Sequence, residues 1–173
     1  PEMDGDLLRE QISGMGLKLL GVLPAKAELE RFGVGYLAEF LFARVISGEE
    51  SLDRNVRHVF VGSMSAEAAL RDPALRREGT LVITSGDRSD MILGALQSGA
   101  AAVVLTNNIL PPSNIISKAG DSKIPLLLVS ADTYSVAKQL DGMEPLLTKD
   151  DGARMAILEG MVKESVDVGA ILG

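Results

Sequence analysis

Apolar residues in this chain come in short runs divided by polar, turn-forming stretches. Three runs in the centre are almost uninterrupted: TLVIT at 80–84, AAVVLT at 101–106 and IPLLLVS at 124–130. A strand wet on one face alternates apolar and polar, whereas a continuous run marks a strand covered on both faces, so these three predict a parallel sheet. Segments 89–98, 113–119 and 133–140 have helical spacing and begin at Ser or Thr, as crossover helices should. HVFVG at 58–62 predicts a further strand, and Ser65 caps a helix ending near residue 70. Upstream, 6–14 is amphipathic, and LKLLGVLP at 17–24 reads as a buried strand stopped by proline. Leu37, Phe40, Leu41 and Val45 recur at helical intervals after a first turn weakened by Gly33 and Gly35, predicting a helix over 34–46. Segment 150–166, with Met155, Ile157, Leu158, Met161 and Val162, predicts a C-terminal amphipathic helix. The expected fold is α/β, a three-layer domain with a mostly parallel sheet flanked by helices.

In such a sheet, loops at the carboxyl ends of neighbouring strands face one small volume. Ser85-Gly86-Asp87-Arg88 follows the first central strand and Thr106-Asn107-Asn108 the second. Asp87 and Arg88 stand where a helix begins, and free N–H groups there favour an anion. An equally weighted reading has them locking the turn by ion pairing, with Gly86 supplying a positive φ. Thr106, Asn107 and Asn108 offer hydroxyl and amide groups for polar recognition, or simply a turn. Asp132 and Thr133 follow the third strand, where capping a helix is the favoured role and facing the same crevice is a second one.

Composition narrows the chemistry. The 173 residues suit one ordinary domain, and 46% hydrophobic against 24% charged residues is a globular balance. A net charge of −7 with no Trp argues against nucleic acid as a partner. No apolar run approaches the ~20 residues of a membrane span, so no membrane association is expected. Zero Cys and the single His58 exclude thiol catalysis and zinc centres, leaving only a carboxylate-held Mg²⁺ open; no metal site and no cofactor are assigned. Neither a phosphate-cradling P-loop nor a Gly-x-Ser-x-Gly elbow occurs, so no catalytic residues are assigned. Without a signal sequence the cytoplasm is the expected location, and Pro1 in place of Met suggests a piece of a longer protein.

LDRNVRHVFVGSMSAEAAL, GTLVITSGDRSDMILGAL, AAVVLTNN, PPSN and IPLLLVSADTY, with the helix after Lys149, resemble the DRTGG domain over about 37–166. That family is named for an Asp-Arg pair and a Thr-Gly-Gly run. Asp87 and Arg88 match the pair and Thr106 the threonine, while Asn107 and Asn108 stand in place of the two glycines. The resemblance implies an accessory module beside phosphotransacetylase catalytic domains, beside CBS pairs in pyrophosphatases, or behind a P-loop domain similar to dethiobiotin synthetase. It further implies that 1–27 is a remnant helix and strand resembling the end of that P-loop domain, and that 28–173 is the DRTGG-like domain.

The expected function is regulatory and non-catalytic: sensing a small anionic metabolite, such as a nucleotide or phosphorylated compound, through Asp87, Arg88, Thr106, Asn107, Asn108, Asp132 and Thr133. Two alternatives stand beside it. One is a structural dimerisation module, since a homodimer is expected in either case; the other is a fragment of a phosphate acetyltransferase or amidoligase-type enzyme.

Overall fold

The structure, a computed structural model, describes residues 11–26, 28–29, 32–143 and 152–172. These belong to two compact units, one formed by 1–29 with 146–173 and the other by 30–145.

The larger unit is built on a five-stranded sheet. β1 (Phe32–Gly33) leads into α1 (Val34–Phe40) and then β2 (Arg44–Ser47). β3 (Asn55–Val56) and β4 (His58–Val61) follow, then α2 (Ala66–Arg71), β5 (Thr80–Ser85), α3 (Ser89–Ser98), β6 (Ala102–Thr106), α4 (Ser113–Asp121), β7 (Leu126–Leu128) and α5 (Thr133–Asp141). The sheet runs β2-β7-β6-β5-β4. β4, β5, β6 and β7 are parallel, in the register Phe60↔Val82, Val82↔Val103 and Val104↔Leu127, and β2 closes one edge antiparallel to β7. β1 and β3 pair separately as a short antiparallel ribbon.

Alternate residues of the central strands feed two cores, which is why those runs are apolar throughout. Val82, Val103, Leu105, Leu126 and Leu128 pack with Met91, Ile92 and Ala95 of α3 and Ile115 and Ala119 of α4. On the other face Leu81, Ile83, Val104 and Leu127 pack with Leu37 and Ala38 of α1 and Val136 and Leu140 of α5. The result is the expected mixed α/β arrangement of a mostly parallel sheet between helical layers.

One expected element divides in two. Instead of a helix over 34–46, α1 stops at Phe40, Phe42 turns left-handed at φ 50° and β2 begins at Arg44. Once the turn is made, the β-branched Val45 and Ile46 add a strand beside β7, where pairing outweighs the helical spacing.

In the smaller unit, residues 11–14 form a helical turn, and the residues expected for the rest of that helix, 6–10, lie outside those described. The expected buried strand at 17–24 is not one. Gly21 makes a single antiparallel bridge to Val166, and Leu17, Val22 and Leu23 are exposed, because one bridged pair covers neither face of the segment. A Cβ on Gly21 would strike the Ser165 carbonyl, so the bridge needs glycine. The Asp167 N–H donates to the Leu20 carbonyl at 2.7 Å and Lys18 pairs with Asp167 at 3.7 Å. α6 (Gly152–Ser165) is the expected C-terminal helix, its Asp150-Asp151 start lying outside the described residues, and α7 (Gly169–Leu172) follows. Arg154 on α6 donates to the Leu29 carbonyl at 2.8 Å. No helix among the described residues is long and apolar enough to cross a membrane.

Candidate functional site at the carboxyl edge of the sheet

Thr106 ends β6 with its side chain on the face covered by α5, following the alternation of Ala102 and Val104, and it is fully buried. Its hydroxyl lies 3.1 Å from that of Thr133, donates to the Thr84 carbonyl at 3.4 Å and accepts from the Asn107 amide at 3.4 Å. The strand carboxyl end is thereby joined to the first residue of α5. Next, the Asn107 N–H donates to the Ala131 carbonyl at 2.9 Å and the Asn108 N–H to the Val129 carbonyl at 2.8 Å, lacing the loop after β6 to the loop after β7. Both asparagines are left-handed, at φ 59° and 55°. Apart from glycine, Asn is among the residues that tolerate this conformation best. The backbone therefore accounts for two asparagines where the resembled pattern has two glycines.

Asp132 is the N-cap of α5. Its carboxylate accepts from the Ser135 N–H at 2.9 Å and from the Ser135 hydroxyl at 2.8 Å. Those two bonds, the backbone one foremost, hold its carboxyl below the ordinary aspartate value.

Arg88 faces the other way. Its guanidinium donates to the carbonyls of Met64 at 2.8 Å and Gly62 at 3.4 Å, in the loop after β4, and to the Asp90 carboxylate at 3.2 Å. The Arg88 bond is also the main cause holding the Asp90 carboxyl below its usual range. Asp87 is exposed and makes no hydrogen bond or ion pair with the described residues. The turn is thus locked by Arg88 with a neighbouring loop and Asp90 rather than with Asp87. Gly86 is not at positive φ; its reason is steric, since a Cβ there would run into the Ile109 carbonyl. That contact seats the loop after β5 against the loop after β6.

Of the residues singled out in the sequence, Thr106, Asn107 and Thr133 form one hydrogen-bonded cluster, and Asn108 and Asp132 lie on the same two loops. Asp87 and Arg88 are on the adjoining loop without a hydrogen bond to that cluster. Two participants were not foreseen. The Gly62–Met64 carbonyls carry no side-chain signal, and the buried hydroxyl of Thr84 has no hydrogen-bond partner among the described residues. No group of three or more His, Asp or Glu side chains among the described residues is placed to hold a metal.

Residues 36–143, more than half the chain, match the family model of the DRTGG domain. The chain belongs to the DRTGG domain family. Phosphate acetyltransferase of Synechocystis sp. is 29% identical to it over 167 residues, covering 91% of this chain and 24% of that enzyme. The phosphate acetyltransferase of Pseudomonas putida is 29% identical over 164 residues, 90% of this chain and 23% of the enzyme. YtoI, an uncharacterized protein of Bacillus subtilis, is 27% identical over 116 residues, 67% of this chain and 25% of that protein. This DRTGG-containing chain therefore spans about a quarter of the length of the curated relatives it matches. In fold it is similar to the CBS and DRTGG domains of the regulatory region of Clostridium perfringens pyrophosphatase, a structure complexed with the activator diadenosine tetraphosphate. The TM-score is 0.53 at 18% identity, over 87% of this chain and 76% of that one.

Proposed function

We propose that this DRTGG chain is a non-catalytic regulatory domain that binds a small anionic metabolite, such as a nucleotide or phosphorylated compound, and reports its presence to a fused catalytic domain of phosphotransacetylase or P-loop type. The observation that carries the reading is the Thr106–Asn107–Thr133 cluster. It joins a strand end to the first turn of α5, so a ligand that exchanges hydrogen bonds with these groups acts on a whole helix. The other proposed contacts are Asn108, Asp132, Asp87 and Arg88. Family membership, phosphate acetyltransferase relatives and the nucleotide-bound regulatory neighbour all support a sensing role. No nucleophile–base pair or phosphate loop is present in the sequence to support catalysis.

A thermal-shift panel of nucleoside triphosphates, acetyl phosphate and inorganic phosphate tests this. A binder at a hundred times its dissociation constant stabilises the fold by about 2.7 kcal/mol. Asn107→Gly, which keeps the left-handed backbone and removes the amide, should erase the shift. A panel with no shift at any concentration would reject the reading.

A homodimer is the second reading, favoured by Phe42. It is 95% exposed in a left-handed conformation unusual for a bulky residue, as an anchor reserved for a partner would be. Light scattering of the wild type and Phe42→Ser separates the two: a dimer lost in the variant, with no ligand response in either, would favour the association module.

A further inference from the structure

On the sheet face covered by α1 and α5, the helices leave part of the edge strand β4 bare, and Val59 remains 48% exposed. The gap opens a cavity of about 730 Å³ whose described lining residues fall within 32–143. That volume lies in the range of small-molecule sites, about 300–1,000 Å³. Its exposed floor is Val59 of β4, with the buried Val56 and Leu81 beneath and beside it. Its wall is one stripe of α5, Tyr134, Ala137, Lys138 and Asp141, spaced i, i+3, i+4 and i+7. Val136 on the same helix is buried in the core, while Leu140 both belongs to that core and lines the cavity.

The polar groups on this stripe and on β4's approach define what fits. Tyr134 is 74% exposed, an aromatic ring beside an apolar floor. Lys138 makes no ion pair among the described residues, and Arg57, which also lines the cavity, is held only by Glu78 at 4.0 Å. Both cations are available to an anion. Asp141, one turn beyond Lys138, accepts hydrogen bonds from hydroxyl donors. We infer that this groove is a second ligand site, distinct from the carboxyl-edge crevice, and that it takes a nucleoside monophosphate: a planar base between Val59 and Tyr134, hydroxyls toward Asp141 and the phosphate between Lys138 and Arg57. Cations and apolar groups act together here, since a planar ring gains apolar contact with Val59 and Tyr134 while the phosphate supplies charge complementarity.

Calorimetric titration of the full chain with AMP, adenosine and ribose 5-phosphate tests the inference. AMP binds; adenosine, lacking the phosphate, binds at least about tenfold more weakly, and ribose 5-phosphate, lacking the base, gives no measurable binding. Val59→Trp fills the floor from an exposed strand position and abolishes AMP binding, while the helical circular dichroism is retained. Lys138→Ala lowers AMP affinity about tenfold without touching the floor, so it stands as the test should Val59→Trp misfold. No heat with AMP, or AMP affinity indifferent to both groove substitutions, overturns the inference. Loss of AMP binding in Asn107→Gly alone overturns it too, and leaves the crevice reading standing. A change from dimer to monomer in Val59→Trp without AMP binding in the wild type assigns the groove to a second copy of the chain, which equally overturns it.

Discussion

The Arg88 guanidinium donates to the Met64 carbonyl at 2.8 Å, fastening the start of α3 to the loop after β4 across 24 residues of chain. Arg88 sits at the N-cap position with no side-chain cap of its own, and its planar fork also reaches Gly62 and Asp90. Three acceptors at different angles suit a guanidinium and not an ammonium.

Arg88→Ala should therefore destabilise the unliganded chain by about 1–2 kcal/mol, the lower part of the range for hydrogen bonds to charged groups because the side chain is about one-third exposed. Arg88→Lys should recover less than half of that. Urea denaturation of the three proteins measures it, and an Arg88→Ala chain as stable as the wild type would show that the bonds to Gly62 and Met64 contribute nothing.

Gly86 and Asn107 should respond in opposite ways to small changes. Gly86→Ala drives a methyl into the Ile109 carbonyl, backbone that cannot yield as a flexible side chain would, and should cost at least about 3 kcal/mol. The double change Asn107→Gly, Asn108→Gly should stay within about 1 kcal/mol of the wild type, since glycine accepts φ near 55–59° freely while losing more entropy on folding. Asn107→Val should cost about 1–2 kcal/mol through the left-handed backbone alone. Equal stabilities for Gly86→Ala and the wild type would mean that the two loops separate easily.

Asp132 and Asp90 both have carboxyl pKa values held below the ordinary value near 3.8, Asp132 by Ser135 and Asp90 chiefly by Arg88. A depressed folded pKa contributes stability that is present above the unfolded pKa and lost as pH falls through the folded one. Asp132→Asn keeps an acceptor for the Ser135 N–H but no charge. Its stability deficit relative to the wild type should be constant from pH 7 to about pH 5 and shrink below about pH 4. A deficit that grows on acidification would contradict the assigned cap.

The sheet was legible because burial on both faces leaves few polar positions: 80–84, 101–106 and 124–130 announce β5, β6 and β7, and Ser65 and Asp132 cap as capping chemistry directs. Where local spacing competed with pairing, it misled. Residues 34–46 carry helical periodicity through Val45, yet the edge of β7 captured 44–47, information that lies some eighty residues away. At the candidate site, residue types were readable but directions were not. Arg88 reaches carbonyls with no side-chain signature, and Gly86 answers to a backbone contact with Ile109 that no local pattern encodes. The groove beside β4 was invisible for the same reason, since Tyr134 and Val59 become neighbours of one cavity only when the sheet is assembled.

Amide NMR, recorded while titrating the nucleotide or acyl phosphate that gives the largest thermal shift, shows whether the ligand acts through the loops after β6 and β7. Sensing through these loops gives the largest saturable shifts at the amides of 106–108 and 131–135, and Asn107→Gly removes them. Shifts absent from both loops at saturating ligand, or unchanged in Asn107→Gly, would contradict it.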